Sequence, residues 1–155
     1  MKALLAAAAL SAALPASAQE TVFLVRHAEK VDNSKDAALS DAGRARANRL
    51  AALLRDVGIS AIFTSEYRRT QQTAQPLADA LKIVPQIHAA GDTAGLVALL
   101  KSQRGRTLVV GHANTVPEIA AAYGVKLTLD DADFDGLYLL LPQTKTLIRL
   151  HQPSG

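Results

Sequence analysis

The chain has 155 residues, no cysteine, 4% aromatic residues and a formal net charge of +3. The length suits one domain, and the missing cysteines exclude disulfides and thiolate chemistry. The mild basicity, and the few aromatics not interleaved with basic residues, give no base-stacking platform and argue against a nucleic-acid partner.

Residues 1–18 read as a secretory signal. Lys2 supplies the positive start, and the apolar stretch from Ala3 to Leu14 is too short to span a bilayer. Pro15-Ala16-Ser17-Ala18 ends in the small-x-small pattern of a signal peptidase site. Cleavage near Ala18 would leave residues 19–155 as a single domain, periplasmic or secreted, with no stable membrane anchor.

Strand and helix signals then alternate. Thr21 to Val25 is an apolar strand that runs into Arg26-His27. Ser40-Asp41 offers an N-cap for a helix to about Arg55, with Ala47, Leu50, Ala51 and Leu54 at helical spacing. Ala61 to Thr64 reads as the second strand, and a helix from about Tyr67 to Leu81 follows, which Pro76 should kink or split. Ile83 to Ile87 is a weaker strand broken by Pro85. Asp92 is a candidate cap for a helix to about Ser102. Thr107 to Val110 is a short, fully apolar strand of the buried parallel kind. A helix from about Thr115 to Tyr123 has Pro117 in its first turn. Gly136 to Leu141 and Lys145 to Leu150 close the chain as two strands joined by Pro142-Gln143-Thr144. This alternation predicts a mostly parallel sheet covered by helices on both faces.

Parallel strands would bring three polar segments to one sheet edge: Arg26-His27, Ser65 through Arg69, and Gly111-His112. That is the edge where α/β sheets bind ligands. Two helix N-termini there favour an anion. Two arginines can clamp a phosphoryl group with forked, charge-assisted hydrogen bonds. A neutral imidazole can attack phosphorus, and a second one can donate to the phosphoryl oxygens as charge builds. The set of two Arg and two His thus fits phosphoryl transfer through phosphohistidine. No ligand set has zinc-like spacing, so neither metal nor cofactor is expected.

The motifs, taken in order, resemble the histidine phosphatase superfamily, with its phosphoglycerate mutase-like fold. Arg26-His27 is similar to the family's opening Arg-His, and Leu39-Ser40-Asp41-Ala42-Gly43 to its Leu-Ser/Thr-x-x-Gly helix start. Ser65 through Ala74 follows its Ser-x-x-x-Arg-(Ala/Thr)-x-x-Thr-Ala segment, and Gly111-His112 its closing Gly-His. The resemblance runs from about Thr21 to Leu150 and looks most like the small bacterial members. It implies a three-layer α/β/α sandwich without metal, with His27 as the phosphorylated nucleophile and Arg26, Arg69 and His112 completing the phosphate pocket. The Ser-x-x-x-Arg spacing favours Arg69 over its neighbour Arg68.

Asn33, Ser65 and Asn114 are further candidates for substrate contact. Their plainer roles are a solvated loop residue, a strand-to-helix cap and a helix cap. The family's larger members carry a general acid in an insertion after the third strand, a region that here is only Gln86 to Thr93. Asp92 is the nearest carboxylate, with the plainer role of a cap. Glu29 and Glu66 are alternatives that surface positions would explain. The expected activity is an exported phosphomonoesterase acting on a small phosphorylated substrate. A phosphoprotein (phosphohistidine) phosphatase, a non-catalytic phosphate- or phosphosugar-binding module and an envelope interaction protein stand beside it.

Overall fold

The structure is a computed structural model that describes residues 20–152. The signal segment and its cleavage point lie outside the described residues. In chain order the elements are β1 (Thr21–Arg26), α1 (Asp41–Leu54), β2 (Ile59–Thr64), α2 (Arg68–Leu81), β3 (Gln86–Ile87), α3 (Thr93–Ser102), β4 (Arg106–Gly111), α4 (Thr115–Ala122), β5 (Gly136–Leu141) and β6 (Thr146–His151). The strands form one sheet in the order β3-β2-β4-β1-β5-β6. The β1–β4, β2–β4 and β2–β3 pairs are parallel, while β5 runs antiparallel to β1 and β6 to β5.

The period-2 alternation of the strands divides the core into two layers. Phe23 and Val25 of β1, with Ile62, Leu108 and Val110, pack against Leu50 and Leu54 of α1 and Ala74, Leu77 and Ala78 of α2. Val22 and Leu24, with Phe63 and Val109, pack on the other side against Val97 and Leu100 of α3 and Val116 and Ile119 of α4. The architecture is therefore the three-layer α/β/α sandwich expected from the sequence.

Register sets the geometry of the future site. Arg26 lies opposite Gly111 across the β1–β4 pair, and Thr64 opposite Val110 across β2–β4. The carboxyl ends of the three strands are thus level. The strands β1 and β4 are neighbours, yet their following helices, α1 and α4, go to opposite faces. That is a topological switch point, where the diverging helices open a crevice outside the strand ends.

Most local signals were placed correctly, and three expectations need correction. Pro76 does not split α2 or end it: the helix is continuous from Arg68 to Leu81. Ala74, Leu77 and Ala78 on either side of the proline are buried against the sheet, and that packing holds the helix through one missing N–H. The helix ends instead at Lys82, in the left-handed conformation at φ 55°. The third strand shrinks to Gln86–Ile87, both exposed at the sheet edge. Asn114 occupies the N-cap position of α4 but makes no side-chain cap bond, because its backbone is already helical. By contrast, Ser40 and Asp92 cap as expected, accepting from the N–H of Gly43 and Gly95.

Candidate active site

The ladder between β1 and β4 extends one residue past Arg26, with the His27 N–H donating to the Gly111 carbonyl at 2.9 Å. The next N–H, of Ala28, donates to Thr73 Oγ1 at 3.0 Å, and that hydroxyl donates to the Arg69 carbonyl at 2.7 Å. The loop after β1 is therefore tied to the helix that carries Arg69. Beneath it, Ala28, Leu39 and Ala47 form a small apolar cluster. Gly43 permits this closeness: a methyl group there would fall on the Glu29 carbonyl oxygen. Glu29 itself holds the loop from below, accepting from Arg46 Nε at 2.9 and 3.0 Å. It is part-buried in an ion pair, not at the surface as expected. Burial pushes its carboxyl up, and the bonds from Arg46 outweigh that and hold it below the ordinary range.

His27 is only 4% exposed. Its Nδ1 lies 2.8 Å from the Ala28 carbonyl oxygen. A carbonyl can only accept, so Nδ1 carries the proton and Nε2 keeps the lone pair. Burial lowers the pKa of the ring to about 4, helped by the charges of His112, Arg26 and Arg69 and opposed by the Ala28 bond. At neutral pH, His27 is an uncharged imidazole with a free Nε2.

His112 follows β4. Its N–H donates to Thr115 Oγ1 at 2.9 Å, so the Thr115 hydroxyl braces the start of α4. Gly111 makes room for this, because a Cβ there would sit 2.8 Å from that hydroxyl. The two imidazoles stand with centroids 5.5 Å apart at 61°. Burial, and then the charge of Arg69, lower the His112 pKa to about 4 as well.

The arginines flank these rings. Arg69 Nη1 donates to the Lys35 carbonyl at 2.8 Å, and its guanidinium lies 4.3 Å over the Tyr67 ring, which meets His112 edge-on. Arg26 Nη1 donates to the carbonyls of Asp130 and Asp131 at 3.1 and 2.9 Å, and its guanidinium lies 4.2 Å over Phe134. Nε of each arginine is buried without a hydrogen-bond partner among the described residues. Each guanidinium is thus oriented by one nitrogen and keeps donors that an oxyanion can take up.

One cleft is lined by Arg26, His27, Lys30, Tyr67, Arg69, Ala90, Gly91, His112, Ala113, Asn114 and Thr115. Arg68 is not part of it: it is exposed, and its backbone N–H donates to Asp36. Asn114 lines the cleft. Asn33 sits in the exposed loop before α1 and is not among the lining residues. Ser65 is buried behind His112, whose Nε2 lies 3.0 Å from its hydroxyl. Asp92 points elsewhere, one oxygen capping α3 and the other 3.1 Å from His88 Nε2. Glu66 is exposed and accepts from the Ala90 N–H at 2.8 Å. Burial would raise its pKa, but that bond and the neighbouring charges hold it low.

The sequence reading missed Tyr67, Lys30 and Phe134. Phe134 follows Asp130-Asp131-Ala132-Asp133 as the single aromatic of an acidic loop, a pattern that marks the residue but not its place against Arg26.

The family model of the histidine phosphatase superfamily (branch 1) matches residues 22–90, which run from β1 through α2 and β3. Over that segment, a little under half of its length, the chain is similar to the histidine phosphatase superfamily. It is 44% identical over 72 residues to "Probable phosphoglycerate mutase GpmB" of Yersinia enterocolitica, a match covering 41% of this chain and 34% of that protein. The chain thus aligns with about a third of that relative's length. Solved structures share the fold over a longer stretch. The protein histidine phosphatase SixA complexed with tungstate superposes with a TM-score of 0.63 at 21% identity, covering 86% of this chain and 96% of SixA. A mycobacterial glucosyl-3-phosphoglycerate phosphatase with inorganic phosphate gives 0.65 at 16% identity, covering 86% and 97%. These likenesses carry the phosphoglycerate mutase-like fold past the matched segment to β4 and the closing strands.

Proposed function

We propose that the protein is an exported phosphomonoesterase that hydrolyses a small phosphorylated substrate through a phosphohistidine on His27. The observation that carries this reading is the free Nε2 of a buried, uncharged His27 between two oriented arginines. The Nε2 lone pair attacks phosphorus, the P–O ester bond breaks, and the leaving oxygen takes a proton from solvent water in the open cleft. Water then attacks the phosphohistidine, the N–P bond breaks, and inorganic phosphate departs with His27 restored. Arg26 and Arg69 bind the phosphoryl oxygens in both steps, and their charge matters most where negative charge develops. No metal is needed for these steps, because the guanidinium groups supply the positive charge. Asp92 is an unsuited general acid, since both of its oxygens are engaged.

Export rests on the sequence of residues 1–18 alone. A second reading, a phosphohistidine-protein phosphatase, is favoured by one observation. The cleft wall at Ala90-Gly91 carries almost no side chain, which leaves room for a protein-borne phosphoryl group. The test is turnover of a panel of phosphometabolites, p-nitrophenyl phosphate and a phosphohistidine peptide, with His27→Ala as control. Turnover of small esters abolished in His27→Ala supports the proposal. Preference for the peptide moves the assignment to the second reading. Phosphate binding without turnover reduces the protein to a binding module.

A further inference from the structure

Behind His112, the hydroxyls of Ser65 and Thr70 form a short buried chain whose proton directions can be read from its acceptors. Thr70 Oγ1 lies 2.8 Å from the Tyr67 carbonyl and 3.2 Å from the Ser65 carbonyl. Carbonyls only accept, so the single Thr70 proton goes to a carbonyl. The 2.9 Å contact between Thr70 Oγ1 and Ser65 Oγ must then carry the Ser65 proton toward Thr70. Ser65 has no second proton. Its oxygen therefore accepts from both remaining neighbours, the Tyr67 N–H at 3.3 Å and His112 Nε2 at 3.0 Å. The reverse direction would leave Thr70 without a proton for an oxygen–oxygen contact of 2.8 Å, in a place where Thr70 is fully buried. Buried polar groups left unpaired in this way are costly.

We propose that Ser65, locked by Thr70, is a positioning residue that fixes neutral His112 in the Nε2–H tautomer, so that His112 takes up a proton at Nδ1 when a phosphoryl group binds. The inference rests on the phosphoryl-site reading of the cleft and deepens it. A neutral ring held this way turns an unprotonated Nδ1 toward a ligand and repels an oxyanion. A phosphoryl dianion supplies the negative charge that draws a proton onto Nδ1, and the resulting imidazolium donates to it. The charged and titratable groups around the ring are Arg26 at the end of β1, His27 just after it, Glu66 before α2, and Arg69 within α2. Burial and the charges of Arg69 and Arg26 disfavour a second proton in the free protein and outweigh Glu66, while His27 is uncharged, which is why uptake waits for the anion. Ser65 does not touch substrate. Its role is to choose which nitrogen of His112 does.

Nitrogen-15 NMR of histidine-labelled protein tests this, with the His112 signals identified by their absence in His112→Gln. The free wild-type protein at neutral pH should show protonated Nε2 and unprotonated Nδ1. Saturating inorganic phosphate should convert the same ring to the doubly protonated form. Thr70→Val gives the sharper test, because it removes the acceptor of the Ser65 proton at nearly constant volume. Ser65 can then turn and donate to Nε2, and the ring should switch to the Nδ1–H tautomer. A merely structural role for Thr70 would not reverse a tautomer. An Nδ1–H ring in the free wild type, or a Thr70→Val ring unchanged from it, overturns the proposal. The free-state tautomer is read without substrate or turnover. A protein with the expected tautomer and no phosphatase activity therefore sinks the functional reading alone, and an active enzyme with the opposite tautomer sinks this one alone.

Discussion

Acidification should destabilise this protein through its two site histidines. Both have folded pKa values lowered from 6.5 to about 4, chiefly by burial. The unfolded chain therefore binds protons that the folded form refuses, and stability falls as pH drops from 6.5 toward 4. At about pH 5 an unfolded histidine is nearly fully protonated and a folded one about a tenth so, which gives a slope of about 1.2 kcal/mol per pH unit for each. Water in the open cleft screens the rings and the two shifts overlap, so the pair together should contribute about 1 kcal/mol per pH unit, on the order of 2 kcal/mol in total. The assay is urea unfolding of wild type and His27→Gln/His112→Gln at several pH values between the folded and unfolded pKa. The carboxylates, His88 and His151 are common to both proteins, so the difference isolates the pair. The wild-type curve should be the steeper, with the difference gone above neutral pH. Parallel curves across the interval would show that burial does not hold these rings neutral, and the argument for an uncharged nucleophile would fall with them.

Three further outcomes follow from particular contacts. Gly43→Ala places a methyl on the Glu29 carbonyl and should cost about 1–3 kcal/mol in urea unfolding, with activity reduced because the His27 loop shifts. Arg69→Ala should lower kcat/KM by about 2–4 kcal/mol, whereas Arg68→Ala, outside the cleft, should do far less; equal effects would contradict the cleft assignment. Asp92→Asn should leave turnover unchanged on both p-nitrophenyl phosphate and esters with poor leaving groups. A selective loss on the poor leaving groups would make Asp92 the proton donor after all.

What the sequence made legible was whatever local chemistry decides. The strands from Thr21 and Thr107 are apolar runs bounded by polar residues, and Ser40 and Asp92 cap helices, the plainer of the roles that their spacing offers. Parallel pairing then brings Arg26, His27, Arg69 and His112 together without any further assumption. Pro76 misled because propensity weighs one residue, while the buried faces of Ala74, Leu77 and Ala78 decide the helix. Phe134 is 107 residues from His27, and nothing local announces that an acidic loop returns to stack on Arg26. The Ser65–Thr70–His112 chain was likewise invisible. It depends on distances across two strand ends, and the sequence shows only a serine that can cap.

The central claim is that His27 Nε2 is the nucleophile. Rapid acid-free quenching during turnover of a labelled phosphomonoester, followed by peptide mass spectrometry, measures it directly. An acid-labile phosphoryl group on the peptide containing His27, absent in His27→Ala along with turnover, is the expected result. A His27→Ala enzyme that still turns over, or a wild type that carries the label on another residue, would contradict the account.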